Sequence, residues 1–242
     1  MQLYIRLNLE RPLSLPLAHH HILQGAIYSL GVDDEDPNGN NLHDSGAFAG
    51  NREYKLFCYS TLEGPHSVDN GRIEFYHYVS FEVRSVDDEW LATVEKNAFE
   101  KGVRIGGEVY DVAFVHRGVS VILSDHISFE TASPITVHRT DPNTRRTKYY
   151  SPEDKEFAEL ISQNFMRKYN AHTGESVRAD FAIECVRPRD LKMYKTWYKN
   201  FCIIGWMGKF TISGDPMYLS FLYETGIGAR NSQGFGMMKI ID

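Results

Sequence analysis

The sequence is poor in cysteine. Its three cysteines, Cys58, Cys185 and Cys202, lie far apart, form no CxxC pair and are odd in number. That argues against a disulfide scaffold and leaves buried free thiols as the expectation. HExxH and zinc-type Cys/His spacings are missing, so neither a metal nor any other cofactor is expected. No apolar run approaches the roughly 20 residues of a membrane-spanning helix. The start, MQLYIRLNLERP, alternates Leu3, Ile5, Leu7 and Leu9 with polar neighbours instead of showing the basic and apolar blocks of a signal peptide. A cytoplasmic chain without membrane contact is therefore expected. A Walker A motif is also lacking.

What is present is globular: 242 residues, 42% hydrophobic and 13% aromatic. The net charge of −6 argues weakly against a nucleic-acid binder but conceals a split. Residues 139–242 hold 16 of the 26 basic and 12 of the 32 acidic residues, a local net of +4 against −10 for residues 1–138. Such a split suits a C-terminal half that tolerates a polyanion, with ordinary surface scatter as the alternative.

Two similar rounds of elements can be read. The first runs through a strand at 2–9, a helix at about 19–30, a polar loop over 31–51, strands at 54–61 and 72–84, a helix in SVDDEWLATVEKNAFEKG, and a strand at 108–116. The second has a strand over 119–129 continued by SPITVHR, then a charged linker. A helix follows with Ser151 as N-cap and Phe157, Leu160, Ile161 and Phe165 on one face. Strands at 178–187 and 201–212, a short helix capped by Asp215, and a last strand at 235–241 complete it. Each round reads strand, helix, strand, strand, helix, strand. The expected fold is α+β: two tandem ferredoxin-like (βαββαβ) domains with antiparallel sheets, at 1–118 and 119–242.

The densest glycine cluster lies near the end, in TGIGARNSQGFGMMKIID. Gly226-x-Gly228 meets Asn231 where a Rossmann fingerprint needs its third glycine, and the loop follows a helix and precedes a strand, so mononucleotide binding is disfavoured. One reading is that its amides, with Arg230, Asn231 and Ser232, bond the phosphates of a longer polyanion. The other is a tight connection packing a helix on a strand. His19, His20 and His21 stand in a row at a helix start, point in different directions and cannot all ligate one metal. His43, in the polar loop, could reach a cleft and transfer protons near neutral pH. With Tyr28 and Lys55 it makes a possible metal-free set for phosphodiester cleavage. A core tyrosine and a surface lysine are the alternative.

Together, HHHILQGAIYSL, LHD, KLFCYS, SPITV and ETGIGARNSQGFGMMKI resemble the CRISPR-associated endoribonuclease family that cuts CRISPR repeat RNA, within the repeat-associated mysterious protein (RAMP) superfamily. The most specific match is the C-terminal loop: Gly226, Ile227, Gly228, Arg230, Gly234, Phe235, Gly236. The resemblance implies tandem ferredoxin-like domains and a metal-independent cut leaving a 2′,3′-cyclic (or 2′/3′-) phosphate and a 5′-hydroxyl. By position it implies His43 as general acid/base, Tyr28 as a second proton-transfer or orienting group, and Lys55 as transition-state stabiliser. His19, His20 and His21 are rivals. The implied partner is CRISPR repeat RNA. Other effector-complex subunits and a homodimer stay open, as does a non-catalytic subunit that holds the guide RNA. RNA contacts are expected from the glycine-rich loop, from Arg139, Arg145, Arg146 and Lys148, and from Lys192, Lys195 and Lys199, interleaved with Tyr194, Trp197 and Tyr198.

Overall fold

Alternation of apolar side chains sets the first element. In the computed structural model, which describes residues 1–32, 47–49, 52–119, 121–198 and 201–241, strand β1 (Gln2–Asn8) buries Leu3, Ile5 and Leu7 on one face. Helix α1 (His20–Leu30) covers that face with Leu23, Ala26, Ile27 and Leu30. Strands β2 (Phe57–Tyr59) and β3 (Tyr78–Ser85), helix α2 (Asp88–Lys101) and strand β4 (Val112–Gly118) complete the round. The Asp87 carboxylate caps α2 by accepting from the Trp90 amide at 2.9 Å. The sheet order is β4-β1-β3-β2, antiparallel throughout.

The second round consists of β5 (His126–Thr131), α3 (Glu156–Thr173), β6 (Ala182–Cys185), β7 (Lys209–Ser213), α4 (Pro216–Thr225) and β8 (Met238–Ile240). Its order, β6-β7-β5-β8, is the first sheet's arrangement repeated: within each round the fourth strand lies beside the first, then the third, then the second. These are two antiparallel ferredoxin-like sheets in tandem.

Several local expectations are corrected. The strand expected over 119–129 begins only at His126; Val119, Val121 and Leu123 ahead of it are exposed. The strand expected over 72–84 breaks at His77, whose φ is +65°. Ser151 does not cap α3: its hydroxyl accepts from the Glu153 amide and Asp154 bonds back to the Ser151 amide, closing a separate turn before the helix starts at Glu156. The charged linker contains a hairpin, His138–Thr140 with Thr147–Tyr149, whose turn is held by Asp141 accepting from the amides of Asn143 and Thr144. A long hairpin, Lys192–Tyr198 with Phe201–Met207, stands outside the second sheet. Tyr54 and Leu56, early in the chain, are buried in the second hydrophobic core.

The halves interlock through buried polar contacts. Arg84 of β3 donates to the carbonyl oxygens of Met238 (2.6 Å) and Tyr223 (3.4 Å) and pairs with Glu82 (2.7 Å). Its guanidinium lies over the Tyr223 ring, 3.6 Å from the centroid. The Met1 ammonium pairs with Glu224. The Cys58 thiol lies 3.6 Å from the Glu224 carbonyl, and burial pushes its pKa up to about 12, which leaves it a protonated, unreactive packing group.

Candidate functional site

The glycines at the C-terminus are required by backbone geometry. Gly226, Gly228, Gly234 and Gly236 all have φ between +73° and +85°, a region open mainly to glycine. A Cβ on Gly228 would lie 2.7 Å from the Thr136 carbonyl, and one on Gly236 would collide with the carbonyl of Ile227. The amides of Gly226, Ile227, Ala229, Gly234 and Gly236 donate to Leu222, Gly236, Thr136, Asn231 and Pro134. These amides are engaged inside the protein, and the four glycines are buried. Buried Asn231 is a brace as well, donating to the carbonyls of Ile227 (3.1 Å) and Phe235 (3.0 Å).

Asn231 is held in turn by Lys168 of α3, which continues the apolar face of Phe157, Leu160, Ile161 and Phe165. The buried Lys168 ammonium donates to Gly226 O (2.5 Å), Asn231 Oδ1 (3.0 Å), Thr225 Oγ1 (3.3 Å) and Thr225 O (3.5 Å). All four acceptors are neutral, so burial dominates and lowers its pKa to about 7.

The three consecutive histidines of α1 have three fates. His20 is buried between Tyr194 and Phe235, with ring centroids 5.4 and 5.3 Å away. Its Nε2 lies 3.0 Å from the Tyr194 hydroxyl, and burial lowers its pKa to about 4, so it is neutral at ordinary pH. His19 is buried against Pro16, its Nδ1 3.1 Å from that carbonyl, and burial also lowers its pKa. His21 alone of the three is exposed, edge-on to Tyr198 at 6.5 Å. One turn on, Gln24 donates to the Ser232 carbonyl at 2.8 Å and docks α1 on the glycine-rich loop. Tyr28 follows one further turn along the helix, half-buried and edge-on to Phe57 at 5.5 Å.

A cleft of about 270 Å³ opens where these segments meet. Tyr54 and Lys55, His138, Asn164 and Lys168 of α3, and residues 230–233 of the loop line it. Lys55 and Arg230, far apart in sequence, thus line one cleft together with Asn231 and Ser232. Among the described residues lining it none is acidic, in a chain whose net charge is −6. Such a concave, cation-lined site suits a phosphate. Arg230 is braced by Gln233 Oε1 at 3.0 Å. Lys55 also borders a neighbouring hollow next to Asp87, Asp88 and Glu89 at the start of α2.

Other expected contacts lie outside the cleft. Arg139, Arg145, Arg146 and Lys148 are exposed along the hairpin that His138 begins, and Lys148 sits 4.4 Å over the Tyr150 ring. On the long hairpin the strand alternation sorts the residues. Tyr194 and Tyr198 face the histidines of α1, whereas Met193, Lys195 and Trp197 point outward, Trp197 at 56% exposure. Lys192 is exposed near the base of the same hairpin. His43 and Lys199 lie outside the described residues. Sequence reading missed Lys168 and His138. A lysine on the apolar stripe of α3 was a legible signal for the first; nothing local marked the second.

The family model described as "CRISPR associated protein Cas6, C-terminal" matches residues 118–240. The chain is 25% identical over 257 residues to the CRISPR-associated endoribonuclease Cas6 1 of Methanocaldococcus jannaschii, covering 100% of this chain and 93% of that protein. Among solved structures, a Cas6-related protein from Pyrococcus furiosus superposes with a TM-score of 0.84 at 22% identity, covering 100% of this chain and 98% of the other. A RAMP protein described as binding different RNA substrates superposes with a TM-score of 0.82 at 22% identity over 100% of both chains.

Proposed function

Because the chain belongs to the Cas6 family, we propose that it is an endoribonuclease that cuts CRISPR precursor RNA within its repeats, and that the cut needs no metal ion. The observation that carries this reading is the cleft that gathers Lys55, Lys168 and Arg230 around one small volume, with no acidic residue among the described residues that line it. In the reaction the ribose 2′-hydroxyl attacks its own 3′-phosphate and the 5′-oxygen leaves, giving a 2′,3′-cyclic phosphate and a 5′-hydroxyl. Lys55 and Arg230 offset the charge that builds on the phosphorane oxygens, worth about 10²–10³ in rate for one well-placed donor. His43 is the general acid/base and Tyr28, one helical turn beyond Gln24, the second proton-transfer or orienting group, so that the 2′-hydroxyl proton is taken up and a proton is given to the leaving 5′-oxygen. The N-terminal domain, 1–118, thus supplies the proton-transfer set. The C-terminal domain, 119–242, supplies the loop and the exposed cations that hold the RNA.

Incubation with cognate repeat RNA in EDTA tests this. The expected result is a single cut per repeat with a 5′-hydroxyl product, blocked by one 2′-deoxy substitution at the cut site. Tight binding with no cleavage of the all-ribose RNA would make the chain a guide-holding subunit instead.

A further inference from the structure

Arg230 has a backbone conformation that arginine disfavours. Its φ is +61° and its ψ +31°, in the left-handed region, where a side chain of this size persists only if its surroundings impose it. Here they do. On one side the Ala229 amide donates to the Thr136 carbonyl at 2.9 Å. On the other, the buried Asn231 side chain makes three hydrogen bonds. It donates to the Ile227 and Phe235 carbonyls, at 3.1 and 3.0 Å, and accepts from Lys168 at 3.0 Å. Arg230 is the one residue between these two fixed points. Its own head is less engaged: Nη1 donates to Gln233 Oε1 at 3.0 Å, and Nε is buried with no partner in the protein. None of the described residues lining its cleft is acidic.

Lys168 closes the brace. Helix α3 places it on the buried face, and its ammonium donates to Gly226 O at 2.5 Å as well as to Asn231 Oδ1. Gly226 opens the glycine-rich loop, and Asn231 follows Arg230. One side chain therefore ties the start of the loop to the residue next to the arginine. Lys168 is only 3% exposed, and its hydrogen bonds all run to the chain's own oxygens. Its effect on RNA must pass through what it holds.

We propose that Lys168 is a positioning residue of the cleavage reaction, which sets Arg230 against the scissile phosphate through Asn231 and Gly226. This rests on the ribonuclease reading above. Removing the amine leaves Asn231 Oδ1 and Gly226 O without this donor in a buried site. The turn then relaxes, Arg230 leaves the left-handed region, and its head shifts within the cleft. A displacement on the order of 1 Å is enough to lower a rate by about 10².

The test is a double-mutant cycle on single-turnover cleavage of saturating repeat RNA, using wild type, Lys168→Met, Arg230→Ala and the double variant. Thermal unfolding confirms that each is folded. Arg230→Ala should slow cleavage by roughly 10²–10³ and Lys168→Met by roughly 10². In the Arg230→Ala background, Lys168→Met should cost no more than a few-fold, because the side chain it aims is gone. A merely structural lysine would lower the rate by the same factor in both backgrounds. That result, or a wild-type rate for either folded single variant, would overturn the assignment. Lys168→Gln keeps an N–H donor and covers the case of a methionine variant that does not fold. It should show a smaller loss with the same non-additivity, and equal losses in both backgrounds would again overturn the proposal. Failure of wild type to cut the RNA would instead remove the ribonuclease reading, and this role with it.

Discussion

Lys168 shows what a single side chain does in this molecule. It joins α3 to the loop that follows α4, through an ammonium held by four neutral oxygens. Its pKa falls from 10.5 in the ordinary state to about 7 in the fold, because burial disfavours the charge. Between those values the unfolded chain binds more protons than the folded one, so stability rises with pH across that window. From pH 7 to pH 9 the gain from this residue should be about 2 kcal/mol. Denaturant unfolding of wild type and Lys168→Met at both pH values measures it. The wild type should gain more than the variant by that amount; an equal gain in both would contradict the burial argument. Gly234 makes a related point, since a Cβ there would meet Tyr59 and His20 at 2.8 and 2.9 Å. A side chain at Gly234 therefore strains the fold before it touches RNA.

At the scale of elements, the hairpin Lys192–Tyr198 with Phe201–Met207 divides its labour by strand alternation. Its inner face packs Tyr194 against His20 and its outer face offers Lys195 and Trp197 to solvent. If RNA runs along it, Trp197→Ala should weaken binding by about 1–3 kcal/mol through lost stacking. Lys195→Ala should flatten the salt dependence of affinity by roughly one phosphate contact. Titrations at several salt concentrations separate the two, and unchanged affinity in both variants would place the RNA elsewhere. The sequence made this hairpin legible as alternating cations and aromatics, but not which aromatics were already occupied, because that depends on a helix 174 residues away. The two rounds of elements were legible from apolar periodicity and caps such as Asp215. The split of the 72–84 strand and the turn before α3 were not. The first goes with the positive φ of His77, and the second with the Asp154 carboxylate and Ser151 hydroxyl, which accept from nearby amides. Lys55, Arg230, Asn231 and Ser232 were each legible as candidates. Their convergence in one cleft was not, since it follows from tertiary packing of α3 and of Tyr54 and Leu56 on the second core.

At the scale of the whole molecule, two sheets of one topology are held at a fixed relation by Arg84, Cys58 and the chain's own first ammonium. That relation sets a cation donated by the first half against an arginine and a histidine donated by the second. Neither half holds the cleft alone. Among the described residues, no helix is long and apolar enough to cross a membrane. The account's central claim is that this shared cleft is where the phosphodiester is cut. Its most direct test is single-turnover cleavage of saturating repeat RNA by wild type and Lys55→Ala in EDTA, with affinity measured alongside. The account predicts a rate lowered by about 10²–10³ with affinity changed only a few-fold. A wild-type rate for Lys55→Ala, or a loss confined to affinity, would contradict it.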